Sequence, residues 1–387
     1  MNTHEFVVIS LDALGGGGLE SLPANADPPS ASVQITALDD DEVRDVKRNP
    51  ATLGVLKKGF PLALIEPQAE DGPQADAQAV ALWGLEAVGA IGSTKTGKGA
   101  KVAVLDTGCD VAHEAFTRLR NAGKISVRNF TTEGGATDVS DINKSGHGTH
   151  CAGTICGDSV GGQRIGVAPG IERLIVGKVL GQGGGGNEKI IQAILWAVEE
   201  GANIVSMSLG MDFPGWVEQL KLQGLPSPQA TSMALKDYRD AVAAFGKLTD
   251  FLRLREVLIV AASGNESSRP TFTIDKAPPS ASDHILSVAA LSSQGAGFGI
   301  APFSNTGADV AAPGVGVMSA KPGGGLRPLS GTSMATPHVA GVAALWWELL
   351  SADGDVTHQD LKARLIGNAK KLPLARSDVG AGLVKAP

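Results

Sequence analysis

The sequence predicts an α/β protein: a doubly wound, mostly parallel sheet with helices on both faces, preceded by a small N-terminal α/β unit. From residue 81 onward, apolar runs of strand length alternate with segments of helical periodicity, the pattern of a parallel sheet with helical crossovers. Before residue 68 lie three short strand-like stretches and one capped helix. A Pro/Gly/Gln-rich string, Pro67-Gln68-Ala69-Glu70-Asp71-Gly72-Pro73-Gln74, then reads as linker. Polar residues of catalytic type also fall just past predicted strand ends, where open α/β sheets place their sites.

In chain order, residues 5–11 and 32–38 read as strands, with the glycine tract 15–18 in the loop between them. Asp39 or Asp40 can cap the short helix that follows. Acidic residues fill its first turn, Lys47 and Arg48 its last, and Asn49-Pro50 stops it. Residues 62–65 give a further short strand and complete a βαβ-like unit. The predicted boundaries are 1–67 for this unit, 68–80 for the linker and 81–387 for the main domain. Within that domain, residues 101–105, 173–180, 203–208 and 257–262 are apolar runs of strand length. Asn187 can cap a helix carrying Ile190, Ile191, Ile194 and Val198 on one side, with Gly201 beyond its end. The segment 211–256 is too long for a bare loop. Leu235, Tyr238, Val242, Phe245, Leu248 and Leu252 recur there at helical spacing and predict an added amphipathic helix, either packed on the surface or serving as a lid.

Composition narrows the class. A chain of 387 residues with 43% apolar content can bury a large core. Its net charge of -7 comes without a basic tract, so no nucleic-acid partner is expected. Asp39-Asp40-Asp41-Glu42 is too short for an acidic tail and reads as a helix start. No window is long enough to span a membrane, residues 1–20 lack a basic n-region, and the apolar run at 6–11 is too short for a signal-peptide core. Three cysteines, an odd number, fit a reducing compartment. A cytoplasmic location is expected, although leaderless export would leave no mark on the sequence.

Three strings carry the chemistry: Val104-Leu105-Asp106-Thr107-Gly108, Gly146-His147-Gly148-Thr149-His150 and Gly331-Thr332-Ser333-Met334-Ala335-Thr336-Pro337-His338. A serine hydroxyl is a weak nucleophile at neutral pH and needs a base, which in turn needs a group to orient it. Ala261-Ala262-Ser263-Gly264-Asn265-Glu266 lies between the second and third strings. This order resembles the subtilisin-like serine proteases, the subtilases. The likeness runs from Trp83-Gly84-Leu85 to Gly380-Ala381-Gly382-Leu383-Val384, through Gly166-Val167-Ala168-Pro169 and Ser206-Met207-Ser208-Leu209-Gly210.

The resemblance implies a subtilisin-like fold and a serine endopeptidase with Asp106, His147 and Ser333 as its triad and Asn265 as an oxyanion donor. Ser333 opens an apolar helix, whose N-terminus favours developing negative charge. Pro337 is expected in or near the first turn, where a missing N–H costs little. His147 is the base because the family motif places the base first, which leaves His150 as a buried structural histidine. Zinc ligation by His147, His150, Cys151 and Cys156 is the competing metal reading. Cys151 resembles the proteinase K branch, whose members can be thiol-sensitive; it also reads as a small buried hydrophobe, and Cys109 lies three residues past Asp106. Substrate is expected as a strand between Gly183, Gly184 and Gly185 on one edge and Ser208, Leu209 and Gly210 on the other. A specificity pocket would be lined from Ala261 to Gly264 with Ala277 at its base, and Asp275 and Lys276 lie nearby in sequence.

No cofactor is required; calcium is possible, but the family's usual site looks absent. The family's usual calcium loop corresponds to residues 158–164 and Ala115, where Val160 and Arg164 replace the oxygen ligands such a cation wants. The N-terminal unit resembles an inhibitory propeptide, or else an ordinary extension packed on the domain. Partners would be a peptide or protein substrate and the chain's own N-terminal segment as inhibitor. Two alternatives stand beside a general endopeptidase: a maturation protease for one partner peptide, and a non-catalytic peptide-binding module. Turnover of casein-like substrates separates the first two, and loss of a triad residue would have marked the last.

Overall fold

The structure, a computed structural model, describes residues 3–12, 29–59, 62–68, 77–131, 136–181, 186–295 and 297–387, with residues 77–81 as backbone. The N-terminal unit comprises β1 (His4–Leu11), β2 (Ala31–Leu38), α1 (Asp40–Arg48) and β3 (Thr52–Lys57). β1 is central and antiparallel to both neighbours. Asp39 caps α1 by accepting from the amides of Asp41 and Glu42, and Glu42 returns a carboxylate to the Asp39 amide, a complete capping box.

The third strand of this sheet is β3, not residues 62–65 as the sequence suggested, so the unit is an antiparallel sheet with a split βαβ. Thr52 through Leu56 are all buried, which removes the alternation that marks a half-buried strand. Residues 62–65 leave the unit altogether. Their paired part, β4 (Ala63–Leu64), joins the main domain.

The main domain continues with α2 (Ala77–Val88), β5 (Lys101–Asp106), α3 (Thr117–Asn121), β6 (Ile125–Asn129), α4 (His147–Cys156), β7 (Arg173–Lys178), α5 (Asn187–Glu199), β8 (Ile204–Met207) and β9 (Leu209–Gly210). Next come α6 (Phe213–Leu222), α7 (Ser227–Arg253), β10 (Leu258–Ala262), β11 (Leu286–Gln294), β12 (Gly297–Ile300) and β13 (Val310–Pro313). The chain closes with β14 (Val317–Ala320), β15 (Leu326–Leu329), α8 (Thr332–Leu350), α9 (His358–Gly367) and α10 (Arg376–Val379). α2 begins inside the stretch expected to be linker, so its last four positions are helical.

The central sheet runs β12-β11-β10-β8-β5-β7-β6, with β13 also on β11, and only the β11–β12 pair is antiparallel. Its central strands β5, β7, β8 and β10 are buried on both faces, as helical crossovers require. Within β5, Val102 and Val104 join the core formed with α2, α4 and α8. Ala103 and Leu105 join the opposite core, formed with α5 and α7.

That second core extends into the N-terminal unit. Val7, Ile9, Leu53 and Leu56 belong to one apolar cluster with Ile190, Ile191, Ala241, Ala244, Phe245 and Leu248. The contact is so close that a side chain at Gly54 would meet the Ala244 methyl at 2.9 Å. Lys47 pairs with Asp240 at 2.7 Å beside it. Asn187 does not cap α5. Gly186 holds that position, and the Asn187 amide donates instead to the Lys57 carbonyl of the N-terminal unit at 2.9 Å.

The segment 211–256 forms two helices, not one. α6 and α7 pack through Phe213 edge-on to Tyr238 and a Trp216 indole N–H donated to Asp237. Phe245, Leu248 and Leu252 of the expected stripe are buried, whereas Leu235 stays half exposed. Leu248 is fully buried where the insertion meets the shared core. Leu248→Ala should cost about 2–5 kcal/mol of unfolding free energy, read from the shift in denaturant midpoint; a loss below about 1 kcal/mol would contradict this packing.

Candidate active site

β5 delivers Asp106 at its carboxyl end, and α4 begins at His147 directly against it. His147 Nδ1–H donates to Asp106 Oδ1 at 2.7 Å, and the Thr107 amide donates to the same oxygen at 2.7 Å. The approach depends on glycine. A Cβ on Gly148 would run into the Gly108 carbonyl, and Gly146, at φ 64°, takes the left-handed turn into the helix. Both Asp106 and His147 are buried. Burial favours the neutral ring of His147, but the facing Asp106 carboxylate and the hydrogen bond to it, with Cys151 beside them, together hold the pKa well above the ordinary value. Burial also raises the pKa of the nearby Cys151 thiol, so at neutral pH that group is uncharged and Asp106 is the anion that matters.

Asp141, which the sequence analysis missed, organises this corner. Its buried carboxylate accepts from the Thr149 amide at 2.9 Å and hydroxyl at 2.7 Å, and from the Thr107 hydroxyl at 2.9 Å. Thr107 in turn accepts from the Gly148 amide at 3.0 Å. Gly146 brings no capping side chain to α4, so Asp141 satisfies the first turn from outside and ties it to the residue after Asp106. The available signal was an aspartate six residues before the histidine, in a turn-rich loop.

α8 starts at Thr332, placing Ser333 in its first turn, fully buried. Pro337 lies in the second turn, deeper than expected. Because it has no N–H, the Ser333 carbonyl loses its usual helical donor. The Ser208 hydroxyl replaces that donor at 3.0 Å and the Cys151 thiol approaches at 3.5 Å. Asn265 is held by its own carbonyl oxygen, which accepts from the Thr332 amide and hydroxyl, both at 2.9 Å. Its NH₂ thereby points into the cleft.

The cleft is filled by the chain's own residues 62–68. β4 pairs antiparallel with β9, with Ala63 opposite Gly210 and Leu64 opposite Leu209, and the Gln68 amide donates to the Ser330 carbonyl at 2.8 Å. Ser333 Oγ donates to the Ile65 carbonyl at 3.0 Å, and Asn265 Nδ2 donates to the Glu66 carbonyl at 3.0 Å. His147 Nε2 has no partner among the described residues. Ile65 is buried beside Gly210, where an added Cβ would meet its side chain at 3.2 Å.

The remaining expected residues divide. Ala261 and Ala277 are buried in the same core that Leu64 joins, and Gly264 turns at φ 114° beside Asn305 and Glu266. Lys276 donates to the Ser287 hydroxyl, and Asp275 bridges Thr306. Gly183, Gly184 and Gly185 lie outside the described residues. His150 donates Nε2–H to the Val317 carbonyl at 2.8 Å, and burial pushes its pKa down to about 3, so it is neutral and turned from the cleft. The four proposed zinc ligands do not converge. Cys156 instead faces the Ala152 carbonyl, and the only ligand-type group close enough to share an ion, among the described residues, is Asp106, His147 and Cys151.

A buried carboxylate on an imidazole, a serine at a helix start and an oriented amide can together carry out nucleophilic acyl transfer. Comparisons with known proteins agree with this chemistry. Residues 97–382 match the model of the subtilase family. The intracellular serine protease of Paenibacillus polymyxa is 35% identical over 294 residues, covering 74% of this chain and 78% of the relative. The major intracellular serine protease of Bacillus subtilis (strain 168) is 35% identical over 294 residues, covering 74% and 81%. Fervidolysin from Fervidobacterium pennivorans, described as a keratinolytic enzyme related to subtilisin, aligns with a TM-score of 0.68 at 22% identity over 99% of this chain and 60% of that one, a likeness of fold. With its site geometry, parallel sheet and sequence matches in accord, this chain belongs to the subtilase family of serine proteases.

Proposed function

We propose that the protein is a serine endopeptidase held inactive by its own residues 62–68, with Ser333 as nucleophile, His147 as base, Asp106 as its orienting carboxylate and Asn265 as oxyanion donor. The observation that carries this is the pairing of β4 with β9 directly beside Ser333, the strand-addition mode by which an extended peptide is held for cutting. The segment lies as substrate would, but unproductively. The Ser333 proton goes to the Ile65 carbonyl instead of His147 Nε2, and the Asn265 amide is spent on the next carbonyl, Glu66. The nucleophile is therefore neither deprotonated nor faced by a carbonyl seated on its oxyanion donor. Release would come from cutting between Gln68 and Val80, a window whose last four positions are the first turn of α2. The intracellular serine proteases among the relatives support a cytoplasmic location.

The reading without calcium at the loop following α4 is supported by Arg164, which donates Nε to the Gly166 carbonyl at 3.0 Å and Nη2 to the Val167 carbonyl at 2.9 Å and so brings a cation of the chain's own to that corner. Asp158 is likewise engaged by Arg118.

A serine-directed fluorophosphonate should label the released enzyme on Ser333, and Ser333→Ala should lose about 10⁶-fold in kcat, the loss subtilisin itself shows. On incubation the wild type should shed about 70 to 76 residues in intact-mass analysis while Ser333→Ala stays whole. Labelling that survives in Ser333→Ala would refute the assignment of the nucleophile, and a wild type that is active at full length would refute the inhibitory segment.

The base acts only when neutral, so activity should fall as pH drops through the raised pKa of His147. The acid limb of kcat/KM should have its midpoint above the ordinary value of 6.5, and a midpoint at or below it would contradict the Asp106 pairing. Excess chelator should leave the melting temperature within about 2 °C; a large calcium-dependent rise would reveal a metal site.

A further inference from the structure

The groove that residues 63–68 border is basic, although the protein as a whole is acidic. Beside that segment it leaves an open channel of about 1260 Å³, and among the described residues the charged side chains lining it are Lys144, Lys321, Arg327 and a single acid, Glu66. Glu66 belongs to the occupying segment. Without that segment, every charged residue of the lining is a cation. None of the three has a carboxylate within ion-pair distance among the described residues. Arg327 donates instead to the backbone carbonyl of Lys144 at 3.2 Å, which holds the β15 strand and the loop before α4, each bearing a cation, against one another.

Three acids on the neighbouring elements are already engaged. Asp110 accepts from the Gly323 amide at 2.9 Å, Asp141 is buried under Thr107 and Thr149, and Asp106 faces His147. Clustered cations left unpaired along a cleft raise the local concentration of negatively charged ligands and favour their binding. The direction of the chain shows where such charge would fall. Residues 66–68 follow the carbonyl at Ser333 and pass beside β15, with Gln68 bridging Ser330. In sequence, Glu66 of the occupant is followed by Glu70 and Asp71, and no lysine or arginine occurs between Lys58 and Lys95.

We propose that Lys144, Lys321 and Arg327 make this groove selective for peptides bearing acidic residues within the first three positions after the cut bond. This rests on the protease assignment above. It adds that the substrate class is acidic on its leaving side, and that the N-terminal segment is matched to the groove in charge as well as in backbone pairing.

The test uses peptides identical before the scissile bond and carrying Glu, Gln or Lys at each of the three following positions. For the released enzyme, kcat/KM should favour Glu over Gln by about three- to tenfold, the size of one or two screened ion pairs, and Lys should be poorer than Gln. The ratio should shrink toward one at about 1 M salt, where the screening length is about 3 Å. It should also collapse in Lys144→Ala/Lys321→Ala/Arg327→Ala, read as the ratio of the Glu to the Gln peptide within that variant and not as the rate for either one. A second arm requires no peptide cleavage. In the full chain, Glu66→Lys should let a fluorophosphonate label Ser333 several-fold faster than wild type, and the triple variant should abolish that gain. If the three peptides are cut equally, or Glu66→Lys is labelled no faster, the charge selectivity is wrong while the protease assignment stands. If nothing is cut and Ser333 is never labelled, the protease assignment itself fails.

Discussion

Two helices begin against the carboxyl edge of one parallel sheet, and the closeness of their first turns is the constraint from which the rest follows. α4 can bring His147 to 2.7 Å from Asp106 only because Gly148 carries no side chain where it crosses the Gly108 carbonyl. α8 can present Ser333 only if the carbonyl freed by Pro337 finds another donor, and the Ser208 hydroxyl is that donor. Ser208 sits beside β9, so the serine's own backbone is fixed by the edge that pairs with the peptide. Ser333 and the strand edge with which residues 63–64 pair are thus positioned by one set of contacts.

The N-terminal unit uses the same geometry from the other side. It shares an apolar core with α5 and α7, and the insertion containing α7 supplies the surface on which β3 lies. From that anchor the chain has only a few residues to travel before it pairs with β9 and reaches Ser333. An anchored segment acts at high effective concentration, so modest contacts within the cleft suffice to keep it occupied.

Much of the site could be read from the sequence because its motifs are short and local. Asp106, His147 and Ser333 each sit within a string whose glycines and helix-start position are visible without a structure, and the four main strands were bounded to within a few residues. What escaped depended on partners distant in sequence. Asp141 acts through Thr107, 34 residues away, and an aspartate six residues before the histidine in a turn-rich loop does not by itself announce that contact. β3 is buried on both faces and shows no alternation. Residues 62–65 were correctly recognised as extended, but an apolar pattern cannot say which edge a strand will join, and here the edge lies in the other unit. The placement of Pro337 in the second turn became meaningful only once Ser208 and Cys151 were seen at the Ser333 carbonyl.

The central claim is that an occupied cleft, and not an unformed triad, keeps Ser333 from His147. Ile65 is the residue to disturb, since it is buried against Gly210 with its carbonyl on the Ser333 hydroxyl. The direct measurement is the rate of fluorophosphonate labelling of the uncut, full-length Ile65→Asp chain beside that of the uncut wild type. A charge forced into that apolar position should expel the segment and speed labelling by at least about tenfold. Equal rates in the two chains would contradict the account.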